Sequence, residues 1–506
     1  MLNKIKVTLV QAPVWAPNLP PLGIAYLSSF LKDKNIDVDI FDFNIELYHS
    51  VPSAYQKFWE KEWYDCWNLE NFIQFITNEY RELFDSWVTK IIQSGSLIIG
   101  FSINCGSKKL SLFLSEQIKQ RDSSKYVVFG GPDLFGYKTN DLMSLDAPID
   151  ALVVGEGEEA FYELILCKEK GQNIAVPGTI VREGSDIRIN KDRALIEKLD
   201  LLPIPDLTSF PLEKYTERET IPILSSRGCI SKCNYCSDHQ MWKRFRYRSS
   251  ENIFQEISYW NSKGFKNFTF CDLLINGSLK HLESLCELLI QSKIQVFWGG
   301  MAIPKFLDAS IIKKMKRAGC NWIFMGVESF SKRILKKMAK HIDPDESLEI
   351  IKRCHNEGIK VSIGLIVGFP GEEAEDIAIN LAVLEKNYQY IEFVSVNPCC
   401  INLGTSLYNQ IHNLQITLSG AICPALMWDA IDETQTVPNR LFLAKLFSDF
   451  LAEHYSERKS EYQKYDAFYY RTMYWYYQEK GNPILSQKYL EKLKLLNILA
   501  VPISLY

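Results

Sequence analysis

The sequence predicts an α/β protein in three parts: a doubly wound, Rossmann-like N-terminal domain, a central open barrel of the partial (β/α)6 kind, and a helical C-terminal domain. Three observations predict it. Short apolar runs alternate with helical stretches twice, from residue 1 to about 165 and again from about 220 to 400. A proline-punctuated segment, DLLPIPDLTSFP, separates the two series. Beyond residue 404 the strand signals fade, and long helical patterns such as RLFLAKLFSDFLAEHY and YQKYDAFYYRTMYWYYQEK take over. At 506 residues the chain is too long for one hydrophobic core.

The first series runs KVTLVQ, LGIAYLSSFLKDK, VDIFDF, LIIGFSI, LSLFLSEQIKQ, YVVFGG, ALVVGE and EEAFYELILCK. Strand and helix in that order build a parallel sheet whose ligand crevice lies outside the carboxyl ends of the strands. The strands end in Gln11-Ala12-Pro13, Gly100-Phe101-Ser102, Gly130-Gly131-Pro132 and Gly155-Glu156-Gly157-Glu158. Any one of these is an ordinary turn. Four on one edge mark a binding edge, with Gln11, Ser102, Gly130, Gly131, Pro132, Gly155, Glu156 and Gly157 as candidate contacts, since glycine lets a large flat ligand approach the backbone. An insertion at 44–94, rich in Trp and Tyr, is patterned as helices and long enough to cover the crevice. A two-strand signal, GTIVREGSDIRIN, follows. The expected divisions are 1–195 for this domain, 196–215 for the linker, 216–403 for the barrel and 404–506 for the helical domain.

The second series, from IPILSS to IEFVSVNP, contains six strand-then-helix repeats with right-handed crossovers expected. Chemistry in such barrels collects at the carboxyl ends of the strands. Directly after the first strand, SSRGCISKCNYCSDH sets Cys229, Cys233 and Cys236 at C-x3-C-x2-C spacing on a loop. Soft thiolates so spaced suit a cubane iron–sulfur cluster, and three ligands leave one iron open. Zinc would want a fourth ligand, for which His239 is the nearby candidate. Cys399 and Cys400 follow the sixth strand, where Cys399 is a candidate hydrogen-atom donor or substrate contact, although buried cysteines are usually inert.

Composition excludes several classes. With 47% hydrophobic and 23% charged residues the chain is globular, and a formal charge of -4 gives no basic field for nucleic acid. Met241 to Arg248 interleaves bases and aromatics in the manner of single-strand binders. Its place between the cysteine loop and a helix capped by Ser249 or Ser250 favours Arg246 and Arg248 as braces for a carboxylate or an interface. The N-terminus lacks the apolar stretch of a secretion signal, and no run approaches the ~20 apolar residues of a membrane span. A cytoplasmic protein with reduced thiols is expected.

On these motifs, residues 220 to 400 resemble the radical S-adenosylmethionine (radical SAM) superfamily. The resemblance implies a [4Fe-4S] cluster on Cys229, Cys233 and Cys236, whose open iron holds the methionine end of S-adenosylmethionine. It places Tyr235 and the backbone near Ile366 at the adenine, Asp272 at the methionine ammonium, Glu328 and Ser329 at the ribose or methionine end, and Asn397 at a further cosubstrate contact. The stretch from Gly364 to Glu372 resembles the family's Gly-x-Ile-x-Gly-x-x-Glu pattern, with Glu372 one place late. The N-terminal order, with its GEGE turn followed by a PxPD linker and the cysteine loop, resembles the cobalamin-dependent class of that superfamily.

Cobalamin would then occupy the N-terminal crevice. The Asp-x-His-x-x-Gly motif is missing, which implies a different or absent lower axial ligand. The implied reaction is methyl transfer to an unactivated carbon of a small molecule or peptide, fed by an electron donor such as flavodoxin or ferredoxin, with no nucleic acid and no membrane span. A cyclase or rearrangement enzyme without net methyl transfer, and a non-catalytic cobalamin sensor, remain open. A tRNA methylthiotransferase fits less well, because Cys66, Cys105 and Cys167 are scattered rather than set to hold a second cluster.

Overall fold

The structure, a computed structural model, describes residues 6–135, 142–144, 147–419 and 425–496. Residues 1–5 and 497–506, the ends of the first predicted strand and of the helical domain, lie outside the described residues, as do 136–141, 145, 146 and 420–424. The chain divides into two compact units, Met1–Arg218 and Glu219–Leu499.

The first unit is built on a seven-stranded sheet of β1 (Lys6–Gln11), β2 (Asp37–Asp42), β3 (Ile98–Ser102), β4 (Tyr126–Gly130), β5 (Ala151–Val153), β6 (Thr179–Glu183) and β7 (Asp186–Ile189). Their order is 2-1-3-4-5-6-7. The first five are parallel, in the flavodoxin-like order, and the β6–β7 hairpin adds antiparallel to β5. Helices cover both faces of a parallel sheet, so its central strands read as continuous apolar runs. Val7, Leu9 and Val10 on β1 and Ile98 and Ile99 on β3 are at most 2% exposed.

The insertion is helical, ending in Glu70–Glu79 and Arg81–Gln93, and its aromatics form its own core. Phe58, Trp59, Trp63, Trp67 and Phe72 are buried, and Trp67 meets Phe72 edge to face. Asn44 ties this core to the loop after β1: its Oδ1 accepts from the Trp59 indole at 2.7 Å and from the Trp15 N–H at 2.9 Å. At the end of β2, Asp42 caps the helix Phe43–Ser50 and also takes the Tyr215 hydroxyl. Burial outweighs these hydrogen bonds and pushes the Asp42 carboxyl up to about 6.

The second unit holds an open, all-parallel sheet of six strands, β8 (Thr220–Ile223), β11 (Asn267–Phe270), β12 (Phe297–Ala302), β13 (Cys320–Glu328), β14 (Lys360–Val367) and β15 (Phe393–Pro398), in that order. A two-residue pairing of β9 (Ser226–Arg227) with β10 (Arg246–Tyr247) brackets the cysteine loop. Side chains alternate along the barrel strands. Ile323, Met325 and Val327 on β13 and Val361, Ile363, Leu365 and Val367 on β14 are fully buried, while Phe324, Glu328 and Ile366 on the opposite face are only half-buried.

The C-terminal helices Val437–His454, Lys459–Glu479 and Pro483–Leu495 belong to this second unit. They cover the edge strand β15, where the Val394 N–H donates to the Tyr462 hydroxyl at 3.1 Å. A short antiparallel pair, β16 (Ile416–Leu418) and β17 (Trp428–Ala430), precedes them, which the helical reading of 404–506 did not include. Three-residue strands carry too little alternation to register as a pattern. Among the described residues no helix is long and apolar enough to cross a membrane.

Candidate active site at the barrel mouth

The cysteine loop leaves β9 through Gly228, whose φ is +91° and where a Cβ would lie 2.3 Å from the Arg244 carbonyl oxygen, so only glycine fits. Beyond it Cys229, Cys233 and Cys236 are all free thiols; Cys233 is buried and the other two are half-buried. Asn234, between the last two, clamps the loop. Its N–H donates to Met338 O at 3.1 Å, its side-chain amide to Lys337 O at 2.7 Å, and its carbonyl accepts from Leu407 N at 2.8 Å.

The Ser231 N–H donates to Cys229 Sγ at 3.4 Å, the kind of backbone contact that stabilises a thiolate. Burial pushes the Cys233 thiol up and, together with the adjacent Asp238 carboxylate, pushes Cys236 up to about 12. A bound metal must therefore displace these protons. Among the described residues no group of three or more His, Cys, Asp or Glu is set to hold a single metal ion. A cubane differs in that each thiolate ligates its own iron, so three cysteines on one clamped loop fit a cluster better than a mononuclear zinc site.

Five predicted site residues gather next to this loop. Tyr235 and Ile366 pack against one apolar cluster that includes Ile334, Met338, Phe369, Cys399, Leu407 and Trp428. Asn397 is exposed and pairs in register with Ile366 across β14 and β15. Glu328 ends β13 with φ +67°, left-handed for a non-glycine residue, and accepts from Lys340 Nζ at 3.1 Å. Burial, then the Glu328 carboxylate and the Cys233 thiol, push the Tyr235 phenol far above its ordinary value and keep it neutral. Cys399, the fifth, is 1% exposed within the cluster, and burial raises its thiol strongly.

Two predicted contacts are engaged elsewhere. Asp272 is 1% exposed and accepts from the Ser225 N–H at 3.0 Å, the Ser225 hydroxyl at 2.8 Å and the Ser226 hydroxyl. Burial still pushes it up to about 6. Ser329 is fully buried and donates to Asn380 Oδ1 at 3.2 Å. Glu372 also turns inward: it takes the Gly368 N–H within the turn after β14, and burial pushes it up to about 7. Arg248 pairs with the fully buried Glu256 and caps Leu224 O at 2.9 Å, while Ser249 caps the helix Ser250–Ser262. Sequence reasoning missed Lys340, whose run Lys-Lys-Met-Ala-Lys looks like an ordinary solvated helix end.

In the first unit the predicted edge is formed at the carboxyl ends of β1, β3, β4 and β5. Gln11 is 1% exposed, with its amide on Ala12 O at 3.0 Å; Ser102 is half-buried and Pro132 exposed. Gly130 ends β4, and Gly131, at φ +114°, approaches so closely that a Cβ would meet Ile103 O at 2.4 Å. Gly155, at φ +100°, has no atom of the described residues within 4 Å of where a Cβ would lie, and Gly157 opens the helix Gly157–Glu169. Glu156 is 7% exposed and accepts from the Ile196 N–H at 2.7 Å. The edge thus combines tight backbone approach at Gly131 with open space at Gly155 among the described residues.

Residues 223–381 match the Radical SAM superfamily, from the end of β8 into the helix after β14. An uncharacterized methyltransferase of Pyrococcus horikoshii is 28% identical over 411 residues, spanning 79% of this chain and 80% of that protein. The solved structure of the cobalamin-dependent S-adenosylmethionine radical enzyme OxsB, with aqua-cobalamin and S-adenosylmethionine bound, matches at TM-score 0.67 over 98% of this chain and 78% of its own, with 17% identity. The radical S-adenosylmethionine methyltransferase TsrM from Kitasatospora setae, with cobalamin and a [4Fe-4S] cluster bound, matches at TM-score 0.62 over 82% of this chain and 77% of its own, with 14% identity. At such identities the two solved structures speak to fold alone. The clamped cysteine loop at the mouth of a six-stranded open barrel thus lies within the segment that matches the Radical SAM superfamily, in a chain whose fold is like those of OxsB and TsrM.

Proposed function

We propose that the protein is a cobalamin-dependent radical SAM methyltransferase acting on an unactivated carbon of a small molecule or peptide. The observation that carries this reading is the meeting of three free thiols with the Tyr235–Ile366 face and Glu328 at the carboxyl ends of the barrel strands. The relative named as a methyltransferase, and the two cobalamin-binding enzymes of like fold, support it.

In this reading Cys229, Cys233 and Cys236 would hold a [4Fe-4S] cluster, which would supply the electron for reductive cleavage of S-adenosylmethionine. Tyr235 and Ile366 offer the adenine an apolar slot, and the neutral phenol adds no charge there. Glu328 accepts from the ribose hydroxyls or the methionine ammonium, and Asn397 presents an amide on the neighbouring strand at the level of Ile366. Asp272 acts one step back, fixing Ser225 and Ser226 and so the start of the cysteine loop. On the edge of the first unit, Gln11, Ser102, the Gly130–Pro132 turn and the Gly155–Gly157 turn cradle cobalamin, which supplies a methyl carrier. A flavodoxin or ferredoxin serves as the donor.

The test is anaerobic reconstitution with iron, sulfide and hydroxocobalamin, followed by metal analysis, absorbance and product analysis with a low-potential reductant. About four irons and one cobalamin per chain, with S-adenosylhomocysteine formed beside 5′-deoxyadenosine, is the expected result. Iron without cobalamin, or 5′-deoxyadenosine without S-adenosylhomocysteine, rejects methyl transfer.

A further inference from the structure

Lys340 is a cation where cations are costly. Its side chain is 8% exposed, and its recorded partner is Glu328 Oε1 at 3.1 Å, itself on a side chain 14% exposed. The pair lies directly on the sheet at β13: a Cβ built on Gly326 would stand 2.5 Å from Glu328 Oε1 and 3.1 Å from Lys340 Nζ, so glycine leaves the room the two charges occupy. Both ends of the pair are held by left-handed backbone at non-glycine residues, φ +67° at Glu328 and φ +52° at Ala339, just before the lysine. Such conformations persist only where the surroundings impose them.

The same turn carries the cysteine loop. Met338 and Lys337 provide the carbonyls that clamp Asn234, the residue after Cys233, while the Lys340 N–H returns to Leu335 O at 2.9 Å. Lys340 is thus anchored to the helix Lys332–Lys337 and the cysteine loop together. Its ammonium donates to Glu328 Oε1 at 3.1 Å, an ion pair that holds the charge at a site where burial alone would disfavour it.

We propose that Lys340 is the fixed counter-charge of the cluster, setting its reduction potential, and that Glu328 positions the ammonium and tempers its effect. The inference rests on the reading that the three cysteines hold the four-iron cluster. Reduction moves one electron from a low-potential donor onto the cluster and adds one negative charge to a partly desolvated site. A buried positive charge nearby stabilises the reduced form more than the oxidised one, because screening is weak there. Neutralising Glu328 strengthens that effect; removing the lysine abolishes it. Lys340 is in this sense a positioning and tuning residue, acting through the cluster rather than on substrate.

The test is an EPR-monitored redox titration of reconstituted full-length protein without S-adenosylmethionine, comparing wild type, Lys340→Met, Lys340→Arg and Glu328→Gln, with iron counted in each. At a fixed poise, Lys340→Met should lower the ratio of reduced to oxidised cluster about tenfold, equivalent to about 59 mV for a one-electron couple. Lys340→Arg should stay near wild type, and Glu328→Gln should shift the ratio the other way. Lys340→Met and Glu328→Gln displaced in the same direction, or Lys340→Met titrating as wild type with full iron, overturns the proposal. Wild-type protein that takes up no iron instead rejects the cluster reading beneath it. Should Lys340→Met lose iron, the opposite shift in Glu328→Gln and the unchanged potential of Lys340→Arg decide the matter.

Discussion

Glu372 shows how burial alone turns a side chain into a pH sensor of stability. Only 6% exposed, it has one carboxylate oxygen on the Gly368 N–H and the other without a hydrogen-bond partner among the described residues, and its pKa is pushed up to about 7 by burial first. A raised carboxyl pKa favours the folded state fully below the unfolded value of 4.5 and loses that contribution as pH rises through about 7. Stability should therefore fall between pH 5 and 8 by up to about 3 kcal/mol, and Glu372→Gln should flatten that slope, as urea midpoints at the two ends of the range will register. Gly368 itself is at φ +70°, and a Cβ there would meet Arg440 Cγ at 2.3 Å. Gly368→Ala should cost about 3 kcal/mol by strain and overpacking, measured as a drop in Tm. Candidates such as Cys229, Tyr235 and Ile366 were visible in the sequence because their motif is local and its spacing suggests the chemistry. Lys340 was not, because its burial depends on Gly326 and Glu328, which lie more than ten positions before it on another element.

At the scale of elements, the helix Ser250–Ser262 shows what patterns reveal and what they conceal. Its start was legible: Ser249 accepts from Asn252 N at 3.2 Å, as capping chemistry requires. Its buried face was not, since Glu256 reads as a solvated residue yet is fully buried and paired with Arg248. The strands were legible because parallel sheets demand long apolar runs, whereas β16 and β17 are too short to declare a period. The aromatic insertion reads as a cover for a crevice from composition, and its rings are first of all its own core. Breaking the Arg248–Glu256 pair from one side leaves an unpaired buried charge, so Glu256→Gln should cost about 3–5 kcal/mol, whereas the double change Arg248→Met with Glu256→Leu should recover most of it. Equilibrium unfolding of the three proteins checks this; a double variant as unstable as the single one would mean that the hydrogen bonds of Arg248 to Leu224 O and Asn252 matter more than the charge pair.

At the scale of the whole molecule, each unit closes a core around its own sheet, and each carries its candidate site at the carboxyl ends of its own strands. This much was legible because strand-then-helix repetition survives any single ambiguous element. The join was harder to read: the proline-rich segment looks like free linker, but Tyr215 at its end donates to Asp42 inside the first unit, a long-range contact that no local pattern encodes. Two sites built on separate sheets should load separately. Cys233→Ala should lose the iron and keep cobalamin, because that thiol belongs to the second unit and the candidate cobalamin edge to the first. Gly155→Val should do the reverse. A valine there fills space in which no atom of the described residues lies within 4 Å, and its φ of +100° adds strain of about 1–3 kcal/mol, small against an ordinary folding free energy of roughly 5–15 kcal/mol. Cobalamin absorbance and iron content, measured on both variants after the same anaerobic reconstitution, give the four numbers needed. If Gly155→Val retains a full complement of cobalamin, the carboxyl edge of the first sheet is not where that cofactor sits; if Cys233→Ala loses both, the two sites depend on each other for loading even though their sheets fold as separate units.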